Sequence, residues 1–189
     1  MTPPSIEPSR IYRTPEHRFK DVPGFDYEPQ YAHWGNLRYA FIDVLGPVID
    51  TTNGHVVKTK TEHPIQTETV LCLHGEPTWS YLYRKMIPGF LTALSPRKDI
   101  ADTHRYIQRR VVVPDLLGFG RSDKPIDDEV YTFDFHRDWL IHFVTSHIAQ
   151  DHRTSQGGRV TLVVQGEWCN RCHITEAFSS FAPLQTGVE

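Results

Sequence analysis

Three short apolar runs in the middle of the chain constrain its fold more than any other feature. They read TVLCLHG at residues 69–75, RVVVPD at 110–115 and RVTLVVQ at 159–165. Runs of this length, rich in branched aliphatic side chains, are typical of strands that are buried on both faces of a parallel sheet. Parallel neighbours need a long crossover connection, which is usually a helix. The sequence therefore predicts strands that alternate with helices.

Helical patterns occur between these runs, as that arrangement requires. After the first run, apolar side chains recur at helical spacing, namely Trp79, Leu82, Tyr83, Met86 and Phe90. After the second run, Thr132 is a candidate N-cap for a helix that would carry Phe135, Trp139, Leu140 and Phe143. Residues 37–46 predict a further strand, and Asn53-Gly54 predicts a tight turn. The fold class predicted is α/β, with a mostly parallel sheet flanked by helices.

A chain of 189 residues has room for one domain of this class, or for part of a larger one. We predict an extended N-terminal arm over residues 1–30, an α/β domain over 31–165, and an unrelated, poorly ordered tail over 166–189. A net charge of −3 offers no basic surface for nucleic acid. No segment is long and apolar enough to span a bilayer, and no secretory signal is recognisable, so a cytoplasmic protein is expected.

Two of the predicted strand ends carry motifs. In open parallel sheets, ligands and chemistry gather beyond the carboxyl ends of the strands. At the first end, HGEPTWS makes Glu76–Pro77 a candidate cis peptide bond. Such a turn can direct the backbone N–H of Glu76 at a developing negative charge, although an ordinary strand-to-helix turn is the alternative. At the second end, residues 116–125 break the dinucleotide fingerprint, which favours a structural turn over a phosphate site.

Taken together, four segments resemble the N-terminal part of the haloalkane dehalogenases, a family of the α/β-hydrolase superfamily. They are LCLHGEPTWSYLYRKMIPGF, VVVPDLLGFGRSDKP, YTFDFHRDWL and VTLVVQ, and the likeness runs through residues 11–165. Epoxide hydrolases of the same superfamily share the HGxP motif and a similar glycine turn, so they remain the alternative. The resemblance implies a hydrolase with no cofactor and no metal that acts on small apolar halogenated substrates. It leaves the oligomeric state open.

The family's reaction runs through an aspartyl ester. An aspartate at a strand-to-helix elbow displaces the halide, which indole N–H groups bind, and a histidine paired with an acid then activates water to hydrolyse the ester. The backbone N–H that matches Glu76 stabilises the oxyanion of that second step. The resemblance therefore assigns Glu76 to an oxyanion hole.

The chain departs from the family at the nucleophile. The family pattern continues as Val-Val-Gln-Asp-Trp-Gly-Gly, whereas here Gln165 is followed by Gly166, Glu167 and Trp168. Glycine has no side chain with which to attack, and the family's acid and base fall in segments that this chain does not match. We therefore expect a truncated, catalytically inactive haloalkane dehalogenase-like hydrolase. A non-catalytic isoform with a binding role is a second interpretation.

Three interpretations of residues 166–173 compete. In the first, Glu167 substitutes for the aspartate and Trp168 still contacts the halide, but the nucleophile would then be misplaced by one residue. In the second, the spacing of Cys169, Cys172 and His173 indicates haem attachment or a metal site. These residues, however, supply only three of the four ligands of a structural zinc site. In the third, which we favour, the tail is translated intron, because Gly166-Glu167 can be encoded by GGT-GAG, which contains GTGAG, the usual start of an intron.

Overall fold

The computed structural model describes residues 3–58, 64–92, 106–150 and 159–166. Among these residues, two α-helices and seven strands are formed, and five of the strands make one sheet. The helices are α1 (Ile87–Thr92) and α2 (Phe133–Val144). In chain order, the strands are β1 (Ile11–Tyr12), β2 (Gln30–Trp34), β3 (Leu37–Asp50), β4 (Ile65–Leu73), β5 (Tyr106–Pro114), β6 (Lys124–Pro125) and β7 (Arg159–Val164). Within the described ranges, no helix combines the length and hydropathy needed to cross a membrane.

The main sheet has the strand order β2-β3-β5-β4-β7. The three apolar runs form β4, β5 and β7, and β4 pairs in parallel with both of the others, as predicted. The sheet is nevertheless mixed, because β2 and β3 are antiparallel to each other and β3 is antiparallel to β5. Gly35 and Asn36 connect β2 to β3, and a connection of two residues can join only antiparallel strands. A Gly-Asn pair is a hairpin signal, so this strand pair was recognisable in the sequence.

The apolar runs of β4 and β5 are buried on both faces, as predicted. β7 was predicted to be buried in the same way but is only partly buried, with Val160 buried and Thr161 exposed, because it has a described neighbour on one side only. Alternate residues of each strand enter different core clusters: Leu71 and Val112 pack on one face, whereas Val70 and Val111 pack on the other. The first face is covered by α2, whose Trp139 is completely buried. The second face is covered by Tyr83 and Ile87, which lie in the segment after β4, and by Phe25 from the N-terminal region.

The helix predicted over residues 79–90 is interrupted. A 3₁₀ turn, Ser80–Tyr83, comes first, and α1 begins at Ile87. Pro88 explains the break, because proline has no N–H with which to donate to the carbonyl four residues earlier. That carbonyl, of Arg84, instead accepts the Tyr27 hydroxyl at 3.3 Å.

The helix predicted to start after Thr132 is present. The Thr132 Oγ1 accepts the backbone N–H of Phe135 at 3.1 Å, which is the N-cap interaction expected from the sequence. The helix continues beyond Val144 into a π turn, Thr145–Ala149, which buries Ile148 against the same core.

The N-terminal residues pack against the glycine turn that follows β5. The short strands β1 and β6 pair antiparallel, which joins residue 11 to residue 125. The Arg13 guanidinium donates to both carboxylate oxygens of Asp123, at 2.6 and 2.8 Å. Asp123 is fully buried, and it also accepts the backbone N–H of Arg38 at 2.8 Å. This paired charge fixes the N-terminal region against the turn.

Candidate active site

The carboxyl ends of β4 and β7 are in direct contact. The Gly75 N–H donates to the side-chain oxygen of Gln165 at 3.0 Å, and the Gln165 N–H donates to the Leu73 carbonyl at 3.2 Å. A Cβ atom on Gly75 would lie 2.7 Å from the Gln165 carbonyl oxygen and 3.1 Å from the Gly166 Cα. Gly75 therefore leaves no room for a side chain, and the absence of one allows the two strand ends to meet.

The carbonyl of Gly75 is held by three donors. They are the His74 Nδ1 at 3.0 Å, the Thr78 hydroxyl at 2.8 Å and the Thr78 backbone N–H at 3.1 Å. His74 is fully buried, and its Nε2 accepts the backbone N–H of Leu116 at 3.0 Å. Because a carbonyl can only accept and an amide N–H can only donate, the imidazole carries its proton on Nδ1. Burial lowers the pKa of His74, against smaller opposing effects of the Gly75 carbonyl and Asp115, so the ring is neutral.

Glu76 lies on the outer side of this turn. The cis peptide bond predicted between Glu76 and Pro77 is present, and the Glu76 side chain is exposed. The backbone N–H of Glu76 has no acceptor among the residues that the structure describes. Its role in an oxyanion hole stays a prediction.

Gly166 is the last described residue, and its backbone has the left-handed φ of +79°. A Cβ at this position would contact the Gly75 Cα at 3.2 Å, and apart from its chain neighbours no other described residue lies within 4 Å of it. The position predicted for the nucleophile therefore lies beside Gly75 and carries no reactive group. Glu167 and Trp168 lie outside the described residues, as do the two cysteines and the histidine of the haem-like motif, so the interpretations that depend on them stay predictions.

The turn after β5 is organised by a buried carboxylate that the sequence did not single out. Asp115 is 1% exposed, and its two carboxylate oxygens accept the backbone N–H groups of Ser80 and Arg121, each at 2.8 Å. Its carbonyl accepts the Ser122 hydroxyl at 2.6 Å. A Cβ on Gly120 would lie 2.4 Å from the Asp115 carboxylate. These contacts support a structural turn, as predicted, because amides of the turn already have acceptors: that of Arg121 donates to Asp115, and those of Gly118 and Phe119 donate to backbone carbonyls.

The sequence profile of the α/β hydrolase fold family matches residues 68–163, which is just over half of the chain. The chain belongs to the α/β-hydrolase fold family. Within this family it is similar to haloalkane dehalogenases, which confirms the resemblance drawn from the motifs. It is 37% identical over 136 residues to the haloalkane dehalogenase of Psychrobacter cryohalolentis, an alignment that covers 69% of this chain and 34% of that protein.

Two further relatives agree. A haloalkane dehalogenase of Mycolicibacterium paratuberculosis is 38% identical over 131 residues, with 69% of this chain and 35% of that protein covered. The tetrameric haloalkane dehalogenase structure from Paraglaciecola agarilytica superposes with a TM-score of 0.52 at 41% identity, covering 80% of this chain and 40% of that one. This α/β-hydrolase chain thus spans about a third of the length of the curated relatives that it matches.

Proposed function

We propose that this chain carries the N-terminal framework of a haloalkane dehalogenase and is itself unable to cleave carbon–halogen bonds. The observation that carries the proposal is Gly166, which follows β7 beside Gly75 at the position of the family's aspartate. The family reaction forms an ester between a carboxylate and the halogen-bearing carbon. Glycine supplies no carboxylate, so the first step has no nucleophile. The proposed substrate class of the complete enzyme is small apolar haloalkanes, and its proposed location is the cytoplasm.

Parts of the site that do not depend on the nucleophile are retained. The turn at residues 74–78 presents the Glu76 N–H with no acceptor among the described residues, and the β4 and β7 ends meet as a strand-to-helix elbow requires. Glu167 is the one carboxylate next to the elbow in sequence. It is displaced by one residue from the family position, and an error of one residue exceeds the tolerance of an in-line displacement.

Halide release tests the inactivity of the chain. The wild-type protein and the variants Glu167→Gln and Trp168→Phe are incubated with 1,2-dibromoethane, and bromide is measured over time. We expect the three proteins to release bromide at the uncatalysed rate. Turnover by the wild type that disappears in Glu167→Gln would overturn the proposal, because it would make Glu167 a working nucleophile.

A gain-of-function variant tests the family assignment. Replacing Gly166 and Glu167 together by a single aspartate restores the Gln-Asp-Trp order, and replacement by a single asparagine is the matched control. With a haloalkane, the aspartate variant is expected to gain the mass of one alkyl group in intact-protein mass spectrometry, whereas the control gains none. An adduct with an epoxide, and none with a haloalkane, would favour the epoxide hydrolase alternative.

The origin of residues 166–189 is tested on the nucleic acid. On the intron interpretation, the bases encoding Gly166 and Glu167 contain GTGAG, and a downstream exon restores Asp-Trp-Gly-Gly. The tail is then unrelated to the hydrolase domain proposed for residues 31–165. Genomic and transcript sequencing across codons 160–190 decides the matter: other codons, or the absence of such an exon, would favour a genuine isoform.

A further inference from the structure

We propose that His74, Thr78 and Gln165 are positioning residues that fix the Gly75–Glu76 peptide and thereby set the direction of the Glu76 N–H. This inference rests on the proposed function, a haloalkane dehalogenase framework, because the resemblance to that family assigns the Glu76 N–H to an oxyanion hole. None of the three side chains has to touch a substrate for this role. They act through the two peptide groups on either side of Gly75.

The first step is the carbonyl of Gly75. Three N–H or O–H groups, one from His74 and two from Thr78, lie within 3.1 Å of it. In a trans peptide the carbonyl and the N–H of the next residue point in opposite directions. A carbonyl that is held towards His74 and Thr78 therefore turns the Glu76 N–H away from them, to the outer side of the turn. Rotation of this peptide would strip the buried His74 Nδ1–H of its acceptor.

The second step is the tautomer of His74. The ring could donate from either nitrogen in isolation, but the Leu116 N–H occupies Nε2 and leaves the proton on Nδ1. Leu116 begins the turn after β5 and is itself buried. The turn after β5 therefore fixes the His74 ring that holds the turn after β4. Phe119 packs edge-on against the ring, with 5.5 Å between the ring centroids, and Asp115 and His136 interact with the ring electrostatically.

The third step is Gln165, which fixes the peptide on the other side of Gly75. Its side-chain oxygen accepts the Gly75 N–H at 3.0 Å, and its backbone oxygen occupies the space where a Gly75 side chain would be. The Gly75 Cα is therefore held between two hydrogen-bonded peptide groups. Small movements of the turn change the hydrogen bonds of at least one of these three side chains.

Residual dipolar couplings test the proposal because they report the direction of an N–H vector without any turnover. The coupling of Glu76 is measured in ¹⁵N-labelled wild-type protein and in Thr78→Val, with Thr78→Ser as the matched control that keeps the hydroxyl. Gln165→Leu is compared with Gln165→Glu, which keeps an acceptor. We expect the Glu76 coupling to change in the valine and leucine variants and to stay at the wild-type value in the controls. The couplings of β4 and β5 are expected to stay unchanged in all four.

An unchanged Glu76 coupling in folded Thr78→Val and Gln165→Leu would overturn the proposal. Loss of stability alone does not imitate the expected result, because it does not reorient one vector relative to the sheet. The wild-type protein provides an independent check: ¹H–¹⁵N correlations of the His74 ring must show the proton on Nδ1, and a proton on Nε2 would also overturn it. Failure of the engineered aspartate variant to form an adduct leaves these couplings unaffected, so the two proposals fail separately.

Discussion

Substitution by alanine is expected to have opposite effects on stability at two glycines. Gly75 lies at the contact between the ends of β4 and β7, and Gly89 lies in α1. Gly75→Ala introduces a Cβ that would lie 2.7 Å from both the backbone oxygen and the side-chain oxygen of Gln165, against 3.4 Å or more for ordinary contacts. Gly89→Ala, in α1, introduces a Cβ with no described atom within 4 Å beyond its chain neighbours and the helix backbone, and the backbone of Gly89 lies outside the left-handed region. The first substitution should destabilise the fold and the second should stabilise it.

The magnitude for Gly75→Ala has two parts. The Gln165 side chain can rotate away, but it then gives up the hydrogen bond from the Gly75 N–H, which costs about 0.5–1.5 kcal/mol. The Gln165 carbonyl belongs to the backbone, so β7 itself must shift, and overpacking of this kind costs about 1–3 kcal/mol. The expected loss in the free energy of unfolding is therefore about 2–4 kcal/mol. Gly89→Ala should gain about 0.5–1 kcal/mol, because alanine loses less backbone entropy in a helix.

Urea denaturation measures both values. Unfolding is followed by tryptophan fluorescence and by far-UV circular dichroism. The urea midpoints of the two variants are compared with that of the wild type, and they report stability where the m-values are the same. At a few degrees of melting temperature per kcal/mol, thermal unfolding should separate the two alanine variants by about 10 °C. If Gly75→Ala unfolds at the same urea concentration as the wild type, the strand ends are not in contact and the reasoning about the site fails.

Three further substitutions test other parts of the fold. Thr132→Ala removes the N-cap of α2 and should lower the free energy of unfolding by about 0.5–2 kcal/mol in urea titrations, with Thr132→Ser close to wild type. Arg13→Ala leaves the buried Asp123 carboxylate without its two guanidinium hydrogen bonds and should cost about 1.5–3 kcal/mol, whereas Arg13→Lys should cost less; equal losses would contradict the two-bond geometry. Burial, assisted by the neighbouring His74, lowers the pKa of His136 to about 4. Between pH 6.5 and pH 4 the unfolded chain therefore binds a proton at His136 that the folded chain does not. The free energy of unfolding should fall by up to about 3 kcal/mol as the pH is lowered over this range. A His136→Gln variant measured over the same range should show a shallower fall.

Part of the fold and of the site followed from local sequence. The apolar runs predicted β4, β5 and β7 because central strands of a parallel sheet favour apolar side chains at successive positions, and all three strands form, although β7 is only partly buried. The cap at Thr132 was correct for a similar reason, since an N-cap depends on residues within one turn. At the site, the HGEP string indicated the turn with its cis bond at Glu76–Pro77, whereas the loss of the nucleophile at Gly166 stays a prediction from the family pattern.

Other elements needed closer attention to single residues. The hairpin of β2 and β3 made the sheet mixed, and its signal was the Gly35-Asn36 pair. The helix after β4 was interrupted at Pro88, although the apolar spacing alone predicted that it would continue. In both cases one residue with a special backbone outweighed a periodic pattern, because backbone geometry limits which hydrogen bonds can form at all.

The sequence by itself thus determined the strand runs, the helix cap and the family, all of which depend on residues adjacent in the chain. The tertiary structure decided which groups hold the site: Gln165 reaches Gly75 across 90 residues, and Leu116 fixes the tautomer of His74 across 42. A hydrogen bond between distant residues leaves no local pattern in composition or spacing. It exists because parallel pairing brings the carboxyl ends of neighbouring strands to one edge, and only the folded sheet specifies which side chains meet there.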